Sequence, residues 1–356
     1  MSLDLISPVT LGDMELTNRM IMAPMTRNRA NQSNAPHSLN TEYYRQRASA
    51  GLIITEASPV SAEGIGYPAT PGIYSDEQVA GWHDITDAVH AEGGHIFIQL
   101  WYCGRISHPS LLPDNQQPVA PSALRPEGDA VTFEGMKPFV EPRALNSNEL
   151  PGIVAQYKRA AEMAQQAGFD GIEVHAANGY LVDQFLRDGS NQRDDAYGGN
   201  VENRMRFLNE ILDAVCEVWS SDRIGVRLSP ENSFNDMSDS NPQNHFSYFI
   251  SQLNSRNLSY LHVLEGDMMS KQREINYRDL RDIYNGIYMA NNGYDKALAQ
   301  SSLNNGDCDL VAIGVPFIAN PDLVYRYQHN LPLNDADQNT FYGGDEHGYT
   351  DYPLSK

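Results

Sequence analysis

The sequence predicts a (β/α)8 barrel. Eight short apolar runs recur along the chain, and polar loops and amphipathic helical stretches lie between them. No Pro/Gly/Ser-rich linker or shift in composition divides the 356 residues. Runs that are apolar at every position suit strands covered on both faces, and eight strand–helix alternations point to a barrel. A doubly wound open sheet is the runner-up on pattern alone. One domain over residues 1–356 is expected, because an α/β barrel can use a chain of this length as a single unit.

The expected strands, in order, are Ile21–Ala23, Leu52–Thr55, Ile96–Leu100, Gly171–Val174, Arg223–Leu228, Tyr260–Val263, Ile287–Ala290 and Leu310–Ile313. Ser75 and Gln78 have capping-box spacing before a helix carrying Val79, Ile85 and Val89. Asn148, Glu149 and Pro151 precede a helix whose apolar face runs from Ile153 to Ala164. Leu208, Ile211, Leu212, Val215, Val218 and Trp219 trace a further buried stripe. Asn320 and Pro321 read as N-cap and first residue of the last helix.

Composition narrows the function. The chain has 25 basic and 46 acidic side chains, a net charge of −21. Coating nucleic acid needs positive charge to displace counterions, so that role is excluded. A phosphorylated ligand stays open to local cations and backbone amides. Cys103, Cys216 and Cys308 are too scattered for a disulfide framework or metal site and are expected to be buried, inert thiols. The first eleven residues lack a basic and apolar leader, and no apolar run is long enough for a membrane span, so a cytoplasmic location is the expectation.

A barrel places its chemistry after the C-terminal ends of the strands, with a phosphate site favoured after the seventh and eighth. The loops there read Ala23-Pro24-Met25-Thr26-Arg27, Trp101-Tyr102-Cys103-Gly104-Arg105 and His175-Ala176-Ala177-Asn178-Gly179-Tyr180. Arg227 lies near the end of the fifth strand, and Asn291-Asn292-Gly293 and Gly314-Val315-Pro316 follow the last two. Hydrogen-bonding groups of several kinds thus gather on one rim, as a flat, partly anionic small molecule requires. Each residue also has a plainer reading. His175 alone is a hydrogen-bonded structural residue, Arg227 a salt-bridge partner, and the aromatic side chains core. His175 and Asn178 lack the further ligands of a metal shell. Gly64-Ile65-Gly66-Tyr67-Pro68-Ala69 superficially matches a dinucleotide fingerprint, but Pro68 and Pro71 forbid the helix it must open.

The stretch Asn18-Arg19-Met20-Ile21-Met22-Ala23-Pro24-Met25-Thr26-Arg27 resembles the opening motif of the old yellow enzyme family of FMN-dependent ene-reductases. Residues 171–206 resemble that family's longest signature. Gln99-Leu100-Trp101, Arg227-Leu228-Ser229-Pro230, residues 317–322 and the tail from Phe341 to Pro353 follow in the family's order. The resemblance implies non-covalent FMN, with NADPH or NADH as reductant and an activated alkene or nitro compound as substrate. It implies a monomer or homodimer. Thr26 would bond the flavin C4 carbonyl, with Pro24 and Met25 along the cofactor and Ala57 and Gln99 at its pyrimidine edge. Arg227 would lie where negative charge accumulates on reduction. His175 and Asn178 would clamp the substrate's carbonyl or nitro oxygen. Hydride would pass from flavin N5 to the β-carbon, and Tyr180 would protonate the α-carbon. Trp101, Tyr67 and Tyr342 would wall the substrate space.

Two departures stand out. The family usually has Gly-Arg after the eighth strand, where arginine pairs with the FMN phosphate; here the pair is Gly314-Val315. Backbone amides of Asn291, Asn292, Gly314 and Val315, with the following helix N-terminus, would then hold the phosphate. Weaker FMN binding is expected, and Lys271 or Arg273 after the sixth strand are candidates to compensate. Tyr102-Cys103 replaces the His-Thr of many members. The competing reading is a barrel that has lost productive flavin binding and serves as a ligand-binding protein.

Overall fold

The computed structural model describes residues 4–355 and contains a closed barrel of eight parallel strands. Its strands are Met20–Met22, Leu52–Pro59, Ile96–Trp101, Gly171–Ala176, Ile224–Leu228, Tyr260–Leu264, Tyr288–Asn291 and Leu310–Ile313. Each expected run contributes one strand, with ends moved by a few residues. The second extends to Pro59 through a register shift between Ile54 and Ala57. Ser75 caps the helix Asp76–Ala91 in the expected reciprocal box with Gln78.

The barrel interior is apolar at its base. Leu52, Ile54, Phe97, Tyr260, Met289 and Leu310 pack there against Leu11, Met14 and Leu16 of an N-terminal hairpin. That hairpin, Val9–Leu11 paired with Met14–Leu16, closes the base. Two strand glycines make room for the aromatic rings. A Cβ at Gly171 would come within 2.3 Å of the Phe97 ring, and one at Gly225 within 2.3 Å of Tyr260.

Above this layer the interior turns polar. Gln99, Glu173 and His262 are all buried, and strand register sets Glu173 beside Gln99 and Arg227 beside both His175 and His262. Across the mouth lies a second hairpin, Asp129–Thr132 with Gly135–Pro138, which exposes Phe133 and Met136.

Two expectations need correction. Asn320 does not open the last helix. It closes the short helix Val315–Ala319, where its Nδ2 donates to the Pro316 carbonyl and its Oδ1 accepts from Asn334 N. The last helix, Leu323–His329, begins after Asp322, whose carboxylate pairs with Arg326 one turn on. An Asn-Pro pair can end one turn as readily as start the next. Cys103 and Cys308 are buried as expected, but Cys216 is exposed at the end of its helix. No helix among the described residues is long and apolar enough to cross a membrane.

Candidate active site at the barrel mouth

A cavity of about 970 Å³ opens at the C-terminal ends of the strands. Pro24, Met25 and Thr26 line it from the first strand, Asn178 and Tyr180 from the fourth, and Arg227 from the fifth. Asn291, Asn292, Gly314 and Val315 line the side of the last two strands, and Tyr67 and Tyr342 close the rim. Ala57, Gln99, Trp101 and His175 are not in this lining. They are buried immediately behind it, Ala57 and Trp101 packing in one cluster with Tyr67 and Tyr180, and His175 against the Tyr180 ring. Val131 and Phe133 of the mouth hairpin, Phe234, Met268 and Tyr294 also line the cavity without being expected from the sequence. Only the hairpin left a trace, in the alternation of Asp129–Thr132 before Gly135.

Arg27, although in the first-strand loop, serves the tail instead. Its guanidinium donates to the carbonyls of Phe341 and Gly348 and sits over the stacked Tyr43 and Tyr349 rings. This anchorage fixes the segment that carries Tyr342.

The floor of the cavity is an electrostatic arrangement in which Arg227 is 6% exposed. Its Nη2 donates to Asn291 Oδ1 at 2.8 Å, and its Nε has no hydrogen-bond partner. Burial lowers its pKa, and the Glu173 carboxylate opposes that shift. A buried guanidinium so poorly matched within the protein favours an external acceptor or negative charge. Asn291 therefore spends its side chain on Arg227 and, through Nδ2, on the Ala312 carbonyl.

Gln99 is more constrained than a free amide. Its Nε2 donates to Glu173 Oε1 at 2.6 Å, while His262 Nδ1 lies 2.9 Å from Glu173 Oε2. Its contact with His262, the Arg227 charge and the Gln99 hydrogen bond hold Glu173 below its ordinary pKa against the desolvation that raises it. The Gln99 Oε1 is left as an acceptor for a ligand N–H.

An aromatic box stands at one end of the cavity. Trp101 stacks on Tyr67 with ring centroids 5.6 Å apart and meets Tyr180 edge-on at 4.8 Å. His175 meets Tyr180 edge-on at 5.1 Å. Burial drives the His175 pKa well below its ordinary value, with the Arg227 charge acting in the same direction, so the imidazole is neutral. Burial raises the Tyr180 pKa well above that of a free phenol. The hydroxyls of Tyr180 and Tyr67 are 3.2 Å apart. Gly66 lets this loop close on Cys103, since a Cβ there would come within 2.6 Å of the Cys103 Cβ.

The opposite end lies at the last two strands. Asn292 and Gly293 both have positive φ, 89° and 77°. The helix after Gly314 has only five residues, and Pro316 at its second position lacks an N–H. Its dipole and donor count are therefore small. Arg273 approaches from the sixth-strand loop. Its Nη2 donates to the Asn292 carbonyl at 3.1 Å, its Nη1 pairs with Glu265, and its guanidinium lies 5.5 Å from the Tyr294 ring centroid.

Comparison with known proteins agrees with this architecture. Residues 4–334 match the model of the NADH:flavin oxidoreductase / NADH oxidase family. The chain is 43% identical over 355 residues to a probable flavin mononucleotide-dependent alkene reductase of Leishmania infantum, covering 98% of this chain and 97% of that one. Among solved structures, morphinone reductase in complex with tetrahydroNAD aligns with a TM-score of 0.95 at 46% identity, covering 99% and 98% of the two chains. The old yellow enzyme homologue of Zymomonas mobilis aligns with a TM-score of 0.96 at 41% identity, covering 99% and 100%.

Proposed function

The chain belongs to the NADH:flavin oxidoreductase / NADH oxidase family as an FMN-dependent ene-reductase of the old yellow enzyme type, and on that premise we propose how its own residues divide the work. The competing reading, a degenerate ligand-binding barrel, is not favoured by these relatives.

The donor set suits a flavin. Arg227, with its unpartnered Nε, matches a ring edge that gains negative charge. The Gln99 Oε1 suits an imide N–H, and Thr26 has a hydroxyl on the cavity wall. Pro24, Met25 and Ala57 provide apolar and backbone contact. When bound, FMN supplies the hydride chemistry, reduced by NADPH or NADH and oxidised by the alkene. The phosphate end falls to the backbone of Asn291, Asn292, Gly314 and Val315, with Arg273 as the nearby cation. Arg273→Ala is expected to weaken FMN about tenfold and Val315→Arg to tighten it, on a charged hydrogen bond of roughly 1.5–3 kcal/mol. Equilibrium dialysis of FMN against each variant checks both.

At the other end the chain's groups act on the substrate. Asn178 and neutral His175 donate to its carbonyl or nitro oxygen, which draws electron density from the conjugated β-carbon. Tyr180 holds the proton destined for the α-carbon, and burial keeps that phenol protonated at neutral pH. The double bond gains one hydride and one proton, and NAD(P)H leaves as NAD(P)+. Trp101 and Tyr67 exclude water from this end, and the exposed Tyr342 stands at its rim. Tyr67 also supports the Tyr180 hydroxyl, so Tyr67→Phe is expected to slow alkene reduction about tenfold, read in single-turnover kinetics.

The observation that carries this assignment is that Tyr180 and Asn178 share the wall of the Arg227 cavity, with the His175 ring packed against Tyr180. Anaerobic mixing tests it. NADPH or NADH should bleach the flavin of the holoprotein, and cyclohexenone should restore its colour with formation of cyclohexanone. Restored colour without saturated product would refute the assignment.

A further inference from the structure

We infer that Asn232 is a positioning residue for substrate recognition, fixing the Asn178 carboxamide with its NH2 toward the cavity. The inference rests on the reading of Asn178 as a donor to the substrate oxygen. It starts from groups whose polarity cannot be reversed. The backbone N–H groups of Met268 and Phe234 reach the Asn232 side chain at 3.2 and 3.4 Å. Backbone N–H can only donate, so the atom they meet is the Asn232 oxygen. The other end of that amide is therefore NH2, and it donates to Asn178 at 2.9 Å. That contact identifies the receiving atom as Asn178 Oδ1. The Asn178 Nδ2 is left with no hydrogen bond among the described residues, on a side chain that lines the cavity.

The rest of Asn178 is already held. Its N–H donates to Ser229 Oγ at 2.7 Å, its carbonyl accepts from Asn235 Nδ2 at 2.8 Å, and its φ is +59°. These contacts place the residue but leave the sense of its amide open, because NH2 and oxygen have nearly the same shape. Asn232 decides that sense. Asn232 itself is fully buried, and its own carbonyl accepts from Arg187 Nη1 at 2.6 Å. The polarity of the clamp is thus set by a relay that starts on the sixth-strand loop at Met268, itself part of the cavity wall. With the amide reversed, an oxygen would face the substrate's oxygen.

Asn232→Asp tests this. An aspartate still accepts from Met268 and Phe234 but cannot donate to Asn178, which must turn its own NH2 inward. In the FMN holoprotein, the dissociation constant of cyclohexanone, an unreactive carbonyl probe followed by flavin absorbance, should rise about 10- to 100-fold. Cyclohexenone turnover should show a parallel rise in KM. In an Asn178→Ala background the same change should add less than about twofold, because the relay then has nothing to orient. Asn232→Ala, which removes the director without adding charge, should give a smaller loss with the same dependence on Asn178, and it serves if the aspartate variant fails to fold. Losses of equal size with and without Asn178, or no loss, would overturn the inference while leaving Asn178 as a donor. Unchanged binding in Asn178→Ala alone would instead remove the donor assignment, and the inference with it.

Discussion

Replacing Tyr180 by phenylalanine is expected to slow alkene reduction by about two to three orders of magnitude, while flavin reduction by NAD(P)H stays within a few-fold. The substitution keeps the ring against Trp101 and His175 and removes only the hydroxyl. Proton delivery to the α-carbon belongs to the half-reaction with the alkene, so the two half-reactions should separate. Stopped-flow measurement of each resolves them, and equal slowing of both would remove Tyr180 as the proton donor. Residual turnover should come from solvent reaching the α-carbon, and it should rise when a strong proton donor is added at high concentration. The packing of Tyr67, Trp101 and His175 around the phenol explains why water is a poor substitute in this box.

The second large effect concerns the substrate oxygen. Changing both His175 and Asn178 to alanine is expected to raise the dissociation constant of a phenolic or carbonyl ligand by at least about 100-fold, from the loss of two donors in a buried site. Difference spectra of the flavin during titration provide the measurement, and undiminished affinity would reject the clamp. A pH dependence follows from the same site. Burial and the neighbouring Arg227 charge hold the His175 pKa well below its ordinary value. The imidazole therefore stays neutral throughout the neutral range and gains a proton only at lower pH. Carbonyl-ligand affinity should accordingly show no step from His175 between about pH 6 and 8. A clear inflection there that disappears in His175→Ala would contradict the neutral assignment.

Much of this was legible in the chain because barrel strands announce themselves. The run Leu310–Ile313, apolar and buried at every position, leaves no ambiguity about burial. Loops that follow such strands must reach the mouth, so Thr26, Asn178, Tyr180 and Arg227 could be located before their contacts were visible. The interior polar layer was less legible. In a strand covered on both faces, period alone does not say which residues point into the barrel, so Glu173 and His262 were missed, and with them the constraint on Gln99. Asn232 was missed for another reason. Its role depends on two backbone N–H groups, one of them 36 residues away at Met268, and no local spacing encodes that. Arg27 follows Thr26 in the first-strand loop, yet the tail carbonyls that receive it lie more than 300 residues on, which no local spacing encodes. The misplaced start of the last helix reflects competition between two turns for the same Asn-Pro pair.

The exchange of Arg for Val at residue 315 is where this chain departs most from the family pattern. Val315 is half exposed on the cavity wall, and the short helix it opens offers few donors. Arg273 brings a guanidinium to the same end from a different loop, already paired with Glu265. A phosphate there would compete with Glu265 for Arg273, so FMN release should respond more strongly to ionic strength than it would with an arginine at residue 315.

In the proposed arrangement the cofactor ring lies across the barrel mouth against Arg227. A crystal structure of the protein grown with FMN tests it most directly. Ring density is expected with its pyrimidine edge at Arg227 and Gln99 Oε1, its C4 carbonyl at Thr26, and its phosphate toward Gly314 and Arg273. FMN bound elsewhere, or in the mouth with Arg227 turned away from the ring, would contradict it.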